Sequence, residues 1–542
     1  MLSYRKLAMR VLGHPLHTGG IDSPRPASQR AAAFILTAAM LTTLAAPAFA
    51  DIWHIENGDI TISAGESGNN VTQNNNTTYG DTNTIITNQN KDKASSHTVT
   101  IETNDKNDKV EVTLKDVNID TSSRNKAAVS VTGSGNTTIK LDGDNALKSD
   151  TYRSGIYGSG SGSLTITGGE NDSLTAQGGS SADGISSSGS LTISGGTVTA
   201  NGDDGGRGIS SSGSVTISGG STVTANGGSG TISGGDGIWS GGGVTISGGS
   251  TVTANGGNGG SLVGGDGIRS GGGLTVSDGT VTAKGGNGDS KDGYGGDGIR
   301  SGGVVTISGN TVNAAGGYGG KVGGYGICSF DRVAISGGTV EAAGGNGSTG
   351  GGSGIYSSVI DLSGSLELTA KAGSPTGKAL LQNGRELDLD TIKDKLGPGA
   401  KVTATDANGK TKQVSVPRPV EPEEPVIPEE SSSSSDGGSA APSAPASPLP
   451  GLTVTDKSGA VISYTSTQSG NTLTVCVGRL TASLHVSLAA LRQLRAEGIE
   501  TIAFQTVLCS TSLSVDELLA MGGEDAEAVL THRLTDSSLT VG

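Results

Sequence analysis

The sequence predicts an all-β protein: a right-handed parallel β-helix with three short strands in each coil, followed by a small C-terminal α+β domain. Two observations predict the solenoid. A unit of 24 to 31 residues recurs through the middle of the chain, and apolar and polar residues alternate within each unit. Composition agrees, because 94 of the 542 residues are glycine and only 3% are aromatic, too few large side chains for an ordinary globular core.

Each recurring unit begins with a Gly-Ile dipeptide. Most units continue with a short Gly/Ser turn, a segment such as Val244–Ser247, a Gly-Gly turn, a segment such as Thr251–Ala254, and a longer Gly/Asn loop. Glycine suits the corners because they need positive φ or close backbone approach. The dipeptides begin at Gly155, Gly184, Gly208, Gly237, Gly267, Gly298, Gly326 and Gly354.

Period-two alternation places the aliphatic side chains of each unit on one side of the backbone. A single coil cannot bury them, whereas coils stacked about 4.8 Å apart can, at roughly 1.5–3 kcal/mol for each large aliphatic residue. An antiparallel sandwich or barrel is the alternative, and it would need Asn-Gly or Asp-Gly hairpins at short regular spacing. The inward residues expected in one coil are Ile185, Leu191, Ile193, Val198 and Ala200.

Shifts in composition divide the chain into segments. Gly58–Asn90 is rich in Asn and Thr and is expected to be a mobile loop, and the repeat pattern is expected to end at Leu366. Leu387, Leu389 and Ile392 are candidates for a terminal cap. The predicted segments are a signal peptide (1–50), a β-helix (51–415, with irregular coils 51–154, regular repeats 155–378 and a cap 379–415), a Pro/Ser/Glu linker (416–450) and an α+β domain (451–542).

The last segment mixes strand and helix signals. A helix is expected from Ser487 to Gly498, and a second helix after the capping-box pattern that begins at Ser514. Cys476 and Cys509 lie in this segment and could pair. The segment is either a cell-wall or partner-binding module or a passive folded terminus. The expected strands are Leu452–Val454, Val461–Tyr464, Leu473–Val477 and Thr501–Val507.

The first fifty residues resemble an export signal. Basic residues precede the apolar run Ala31–Leu44, and the small-x-small pattern Ala48–Ala50 follows, so the mature chain is expected to begin at Asp51 and to be secreted or held at the cell surface. The alternative is a transmembrane anchor, for which the run is short of about 20 residues. The net charge of −15 excludes the basic surface typical of nucleic-acid binding. We expect a monomer.

Several segments resemble a known family. The run Val112–Ile119, then Gly155–Tyr157 and Leu164–Gly169, and the repeated Leu-Thr-Ile-Ser-Gly-Gly are similar to a family of clostridial extracellular β-helix proteins with a polysaccharide-lyase-like fold. The resemblance covers about residues 98–390. It implies carbohydrate binding, in some members of acidic plant polysaccharide together with calcium.

Two columns of side chains are expected on the outer surface. Because the Ile of each Gly-Ile points inward, the next residue points outward, which aligns Trp239, Arg269 and Arg300 in successive coils, with Tyr157 and Tyr356 further along the same column. Aromatic rings stack on the apolar faces of sugars, and guanidinium groups bind carboxylates in two places. The column is therefore a candidate binding site for a polysaccharide or a host or cell-surface glycan, although ordinary surface decoration is the alternative.

The residue before each Gly-Ile forms the second column. Asp236, Asp266 and Asp297 follow one another there, and Ca²⁺ completed by loop carbonyls would relieve their repulsion. The alternative is that these aspartates only make turn hydrogen bonds. We therefore carry Ca²⁺ as a candidate ion and no other cofactor.

Enzymatic chemistry is less well supported by the residues. No histidine lies in the regular repeats, and the one Asp-Asp pair there, Asp203–Asp204, lies beside Arg207. The first hypothesis is a carbohydrate-binding protein that is not an enzyme. The second is a surface adhesin or structural stalk that binds a protein, and the third is a polysaccharide lyase or hydrolase.

Overall fold

The structure, a computed structural model, describes residues 51–417 and, of residues 451–541, all except 457–459, 463, 470, 478, 480, 507–509, 522–526 and 533–536. The predicted signal peptide and nearly all of the predicted linker therefore lie outside the described residues. The chain divides into two compact units, Met1–Pro422 and Glu423–Gly542, and each has its own apolar core. Within the described part of the chain, we find no helix long and apolar enough to cross a membrane.

The first unit begins with short strands that build up to full coils. Gly58–Asn90 is not a loop, so that expectation is wrong. The strand Gly68–Gln73 pairs antiparallel with both Ile60–Gly65 and Asn76–Asp81. Ile60–Gly65 also pairs in parallel with Val99–Thr103. Asn74 and Asn75 both have positive φ and make the tight turn between Gly68–Gln73 and Asn76–Asp81, which explains the asparagine-rich composition. The elements are β1 (Ile52–His54), a 3₁₀ helix (Ile55–Asn57), β2 (Ile60–Gly65), β3 (Gly68–Gln73), β4 (Asn76–Asp81), β5 (Thr84–Thr87), β6 (Val99–Thr103), β7 (Lys109–Lys115), β8 (Asn118–Asp120), β9 (Val129–Gly133), β10 (Asn136–Asp142) and β11 (Asp144–Lys148).

The middle of the first unit is a parallel β-solenoid of stacked coils, about 14 turns in all, which confirms the predicted fold class. Each coil contains three strands, and each strand pairs in parallel with the strand three positions later, as the pairs Ile185–Ile209 and Ile209–Ile238 illustrate. The exceptions are Val305–Ile307 and Thr311–Ala315, which both pair with the long strand Ile327–Ala343. The strands are β12 (Ile156–Gly158), β13 (Leu164–Thr167), β14 (Ser173–Ser180), β15 (Ile185–Ser187), β16 (Leu191–Ser194), β17 (Thr197–Asp203), β18 (Ile209–Ser211), β19 (Val215–Ser218), β20 (Thr222–Asn226), β21 (Ile238–Ser240), β22 (Val244–Ile246), β23 (Ser250–Asn255), β24 (Ile268–Ser270), β25 (Leu274–Val276), β26 (Gly279–Lys284), β27 (Ile299–Ser301), β28 (Val305–Ile307) and β29 (Thr311–Ala315).

The last coils run further than the sequence pattern suggested. Leu366 and Leu368 are buried and pair with the preceding coil, so the expectation that the repeat ends at Leu366 is wrong. Leu389 and Ile392 are buried against the end of the same core, as expected of a cap. The elements are β30 (Ile327–Ala343), β31 (Ile355–Lys371), β32 (Leu380–Gln382), β33 (Arg385–Glu386), a 3₁₀ helix (Leu389–Lys395), β34 (Lys401–Thr405) and β35 (Thr411–Ser415).

The core of the solenoid is the stacked aliphatic interior that period two predicts. The five inward residues expected for the coil of β15 to β17 are all fully buried, and their counterparts in the neighbouring coils are buried with them. Stacking rather than any single coil buries this surface, so each coil depends on its neighbours.

The second unit is a small α+β fold with two four-stranded sheets. The two predicted helices are confirmed as Leu488–Ala496 and Val515–Met521. At the start of the first helix, Ser487 Oγ accepts from the Ala490 N–H, and Gly498 has positive φ after its end. The strand expected at Val461–Tyr464 is wrong, because Val461 makes only an isolated bridge and the strand begins at Thr465. Pairing of Cys476 with Cys509 lies outside the described residues. The elements are β36 (Leu452–Thr455), β37 (Thr465–Ser469), β38 (Thr472–Cys476), β39 (Ala482–Ser487), α1 (Leu488–Ala496), β40 (Thr501–Gln505), β41 (Ser510–Ser514), α2 (Val515–Met521), β42 (Glu527–His532) and β43 (Ser537–Val541).

Candidate functional site

The first strands of successive coils align one outward residue each. We call this set the outer column, and its order confirms the register predicted from the sequence. Trp239, Arg269 and Arg300 are direct neighbours in β21, β24 and β27. Tyr157 lies three coils before Trp239 and Tyr356 two coils after Arg300, so about 14 Å and 10 Å separate them along the axis. The outer column consists of Tyr157, Ser186, Ser210, Trp239, Arg269, Arg300, Cys328 and Tyr356.

Trp239 is partly exposed, but one face of its ring is covered. The guanidinium carbon of Arg207 lies 4.3 Å from the centre of the ring, a cation–π contact. Arg207 Nε lies 3.5 Å from Asp236 Oδ2, and its Nη1 donates to Ser210 Oγ at 3.3 Å. Arg207 is therefore part of the site, although the sequence pattern placed it only in the second column.

The two arginines of the outer column remain accessible while each is close to one buried carboxylate. Arg300 Nη1 donates to Asp297 Oδ2 at 3.3 Å, and Arg269 Nη1 lies 4.0 Å from Asp266 Oδ2. The side chain of Arg269 is 50% exposed and that of Arg300 is 38% exposed. Both guanidinium groups therefore keep donors free for an anion that approaches from solvent.

The aspartates of the second column form a hydrogen-bonded ladder. Asp236 Oδ1 accepts from the Asp266 N–H and Asp266 Oδ1 from the Asp297 N–H, both at 2.8 Å, while Asp297 Oδ1 accepts from the Tyr325 N–H at 2.7 Å. The second oxygens face arginines. In the part of the chain that the structure describes, we find no group of three or more His, Cys, Asp or Glu side chains placed to hold a metal ion. The arrangement favours a structural role for these aspartates over the predicted Ca²⁺ binding.

Burial disfavours the ionised form of the carboxyl groups in the ladder. Desolvation raises the pKa of Asp236 and Asp266, and it raises the pKa of Asp297 to about 6. The neighbouring aspartates add repulsion at Asp266. Arg207, Arg269 and Arg300 oppose this effect because their positive charges favour the ionised carboxylates.

A groove of about 580 Å³ runs beside the outer column. Its floor is stacked glycine backbone, and a Cβ at Gly265 would lie 1.9 Å from the Gly235 carbonyl oxygen, so only glycine lets the coils approach this closely. The lining includes Asp183, Arg207, Asp236, Val263, Asp266, Arg269 and Arg300.

The projecting loops carry exposed apolar side chains that sequence reasoning missed. Val263 lines the groove, and Tyr294 follows it in register on the next coil. Lys321 Nζ lies 5.6 Å from the centre of the Tyr294 ring. The signal that could have found these residues is the presence of one or two large apolar residues in each otherwise glycine-rich loop. The exposed members are Ile232, Leu262, Val263, Tyr294 and Tyr318.

At the C-terminal end of the outer column, Cys328 and Tyr356 are less accessible than the sequence pattern predicts. Cys328 is only 1% exposed, and burial raises the pKa of its thiol to about 12. The ring of Tyr356 stacks on that of Tyr325 at a centroid distance of 5.0 Å, so one of its faces is occupied. At the other end, Tyr157 is 41% exposed and stands apart from the arginines. The structure thus gathers Trp239, Arg269 and Arg300 into one site and leaves the two tyrosines outside it.

Chemically, the groove offers partly exposed guanidinium groups and the side chain of Val263, and the indole of Trp239 lies beside it against Arg207. Such a set can bind anionic groups and the flat apolar faces of a long ligand. The acidic pair Asp203–Asp204 is exposed, and its Asp204 carboxylate lies within 3.3 Å of Ser180 Oγ and Ser181 Oγ rather than in the groove. Comparison with protein-family models, with curated proteins and with solved structures gave no match.

Proposed function

We propose that this protein binds an extended, anionic carbohydrate polymer along the groove beside the outer column. The observation that carries the proposal is the alignment of Arg269 and Arg300 in neighbouring coils, both accessible and both lining a groove of about 580 Å³. Trp239 precedes them in the same column and contacts Arg207, which also lines the groove. The proposed activity is binding, not catalysis.

Spacing supports a polymer over a small ligand. Neighbouring coils repeat about every 4.8 Å, so charges on the outer column form a row and not a single pocket. A polymer with regularly placed carboxylate or sulfate groups can contact several coils at once, and linked contacts strengthen one another. The groove is lined mainly by polar groups, which also suits a hydrated chain.

Charge supports an anionic ligand at this face even though the whole chain carries −15. The aspartates of the ladder are buried, with at most 7% of their surface exposed, and both of their oxygens already face donors or cations. Arg269 and Arg300 are 50% and 38% exposed, so an approaching anion meets these guanidinium groups before it meets the carboxylates of the ladder.

The resemblance to extracellular carbohydrate-binding β-helix proteins and the export-like residues 1–50 support the same proposal. We propose that the chain acts after secretion, in the medium or at the cell surface, where long glycans occur. Under this proposal residues 451–542 are a separate module that associates with the cell wall, and the solenoid works as a monomer.

The test is binding of the purified protein to immobilised polysaccharides that differ in charge. Polygalacturonate and carboxymethyl cellulose are the anionic probes, and hydroxyethyl cellulose is the neutral one. Charge-assisted hydrogen bonds contribute about 1.5–3 kcal/mol each. The double variant Arg269→Gln and Arg300→Gln should therefore weaken binding to the anionic probes by about a hundredfold or more.

Arg332→Gln is the matched control. Arg332 is also 50% exposed and lies 3.9 Å from a carboxylate, that of Asp361, but it is not part of the groove. It should leave binding unchanged. If no anionic polysaccharide binds, or if the control weakens binding as much as the double variant, the proposal is wrong. Binding of a protein surface and of no polysaccharide would favour an adhesin instead.

A further inference from the structure

The contact between Arg207 and Trp239 covers one face of the indole on which a sugar could stack. The Arg207 guanidinium lies over the indole at 4.3 Å, the distance at which a stacked sugar would also sit. In the preceding coil the outer column holds Ser210, whose small side chain leaves this space to Arg207. A ligand can therefore stack on this face of Trp239 only when Arg207 moves.

Arg207 is held in place by weak contacts that solvent can reach. Its side chain is 37% exposed, and its ion pair with Asp236 spans 3.5 Å, longer than a good charged hydrogen bond. Its backbone, by contrast, is fixed, because the Arg207 N–H donates to Asp183 Oδ1 at 2.8 Å. The side chain can therefore move while the Arg207 backbone keeps its place, at the cost of the ion pair with Asp236.

We propose that Arg207 is a specificity-determining residue, which covers Trp239 in the free protein and opens the ring only to a sugar that carries an anionic group. The inference rests on the proposed function of the same groove. An anionic ligand draws the guanidinium off the ring into a new ion pair, and its sugar ring replaces the guanidinium on the indole. A neutral ligand must break the cation–π contact and leaves Arg207 with no new partner.

The strength of the contact between Arg207 and Trp239 determines how strongly the site discriminates between neutral and anionic ligands. Cation–π contacts at exposed to partly desolvated sites correspond to a factor of about two to thirty in affinity. Without the Arg207 side chain, a neutral ligand no longer has to break the cation–π contact, so its affinity should rise by this factor. An anionic ligand instead loses its ion pair with Arg207. The ratio of the two affinities should therefore collapse in the variant.

The experiment compares two probes that share one backbone, carboxymethyl cellulose and hydroxyethyl cellulose, on the unmodified protein and on Arg207→Ala. The variant should bind the neutral probe about two- to thirtyfold more tightly and the anionic probe more weakly. Arg153→Ala, an exposed arginine outside the groove, should change neither affinity. If Arg207→Ala weakens binding to both probes equally, or leaves their ratio unchanged, Arg207 is not a specificity residue.

A measurement without ligand tests whether Arg207 covers the Trp239 ring in solution. The chain contains two tryptophans, so Trp53→Phe leaves Trp239 as the only indole. In that background Arg207→Ala should increase acrylamide quenching of Trp239 fluorescence, and unchanged quenching would overturn the inference. Failure of every form to bind either probe would instead overturn the proposed function, and this inference with it.

Discussion

The aspartate ladder predicts that the middle coils become more stable as the pH falls from 7.5 to 5. Asp297 is the member to follow, because it is 4% exposed and its pKa is about 6 in the folded chain against an ordinary value of 3.8. A raised folded pKa means that the folded chain binds a proton that the unfolded chain has already released. Its contribution to stability is therefore complete below about pH 3.8 and is lost as the pH rises through about 6.

The size of the effect follows from the same two values. The difference in pKa corresponds to about 3 kcal/mol over the whole window, at about 1.4 kcal/mol per pH unit. Between pH 7.5 and 5 the folded Asp297 takes up most of its proton, but pH 5 still lies above the ordinary value of 3.8, so only about 1 kcal/mol of the total falls in this range. Asp236 and Asp266 shift in the same direction, so the total change in the free energy of unfolding should be larger.

The assay is urea unfolding at both pH values, followed through Trp239 in the Trp53→Phe background. Asp297→Asn is the comparison, because its amide oxygen can still accept from the Tyr325 N–H but cannot titrate. The variant should lose about 1 kcal/mol of the pH dependence while it keeps the fold. Equal pH dependence in the two proteins would refute the assignment of the effect to this ladder.

Three further predictions concern the stack and its export. Ile246→Ala removes a fully buried side chain and should lower the free energy of unfolding in urea by about 2–5 kcal/mol, whereas the exposed neighbour Thr245→Ala should change it by about 0.5 kcal/mol or less. Gly265→Ala forces backbone apart and should lower the melting temperature sharply in a thermal scan, whereas Gly309→Ala, where a Cβ meets only an ordinary 3.4 Å contact, should not. N-terminal sequencing of protein from the culture medium should begin at Asp51, and recovery of the uncleaved chain in the membrane fraction would contradict the export prediction.

Much of the solenoid could be predicted because its repeat and its alternation are both local signals. Once Ile185 and Ile209 begin equivalent strands, parallel stacking fixes which residues share a column, and the outer column follows without further assumption. The same logic placed Ser487 at a helix start, since capping depends on a few adjacent residues.

The rest depended on contacts that a repeat pattern does not encode. Arg207 lies on Trp239 because its side chain crosses from one column to the other, which is a choice of rotamer. The repeat pattern leaves two roles open for Asp236, Ca²⁺ binding and turn hydrogen bonds, and the structure shows that its Oδ1 accepts a backbone N–H from the next coil. Gly58–Asn90 was misassigned because asparagine marks both long loops and tight hairpin turns.

Exact register between coils also makes the chain modular in length. Residues 208–236 span one complete coil, and Ile185, Ile209 and Ile238 occupy the same place in three successive coils. Deleting or duplicating such a segment would join strands that already match, so each surviving side chain would keep the same kind of neighbour above and below. Tandem duplication can thus lengthen the stack, and a ligand-binding row along it, by one coil at a time, whereas a shift of one residue within a strand would turn its aliphatic side chains outward.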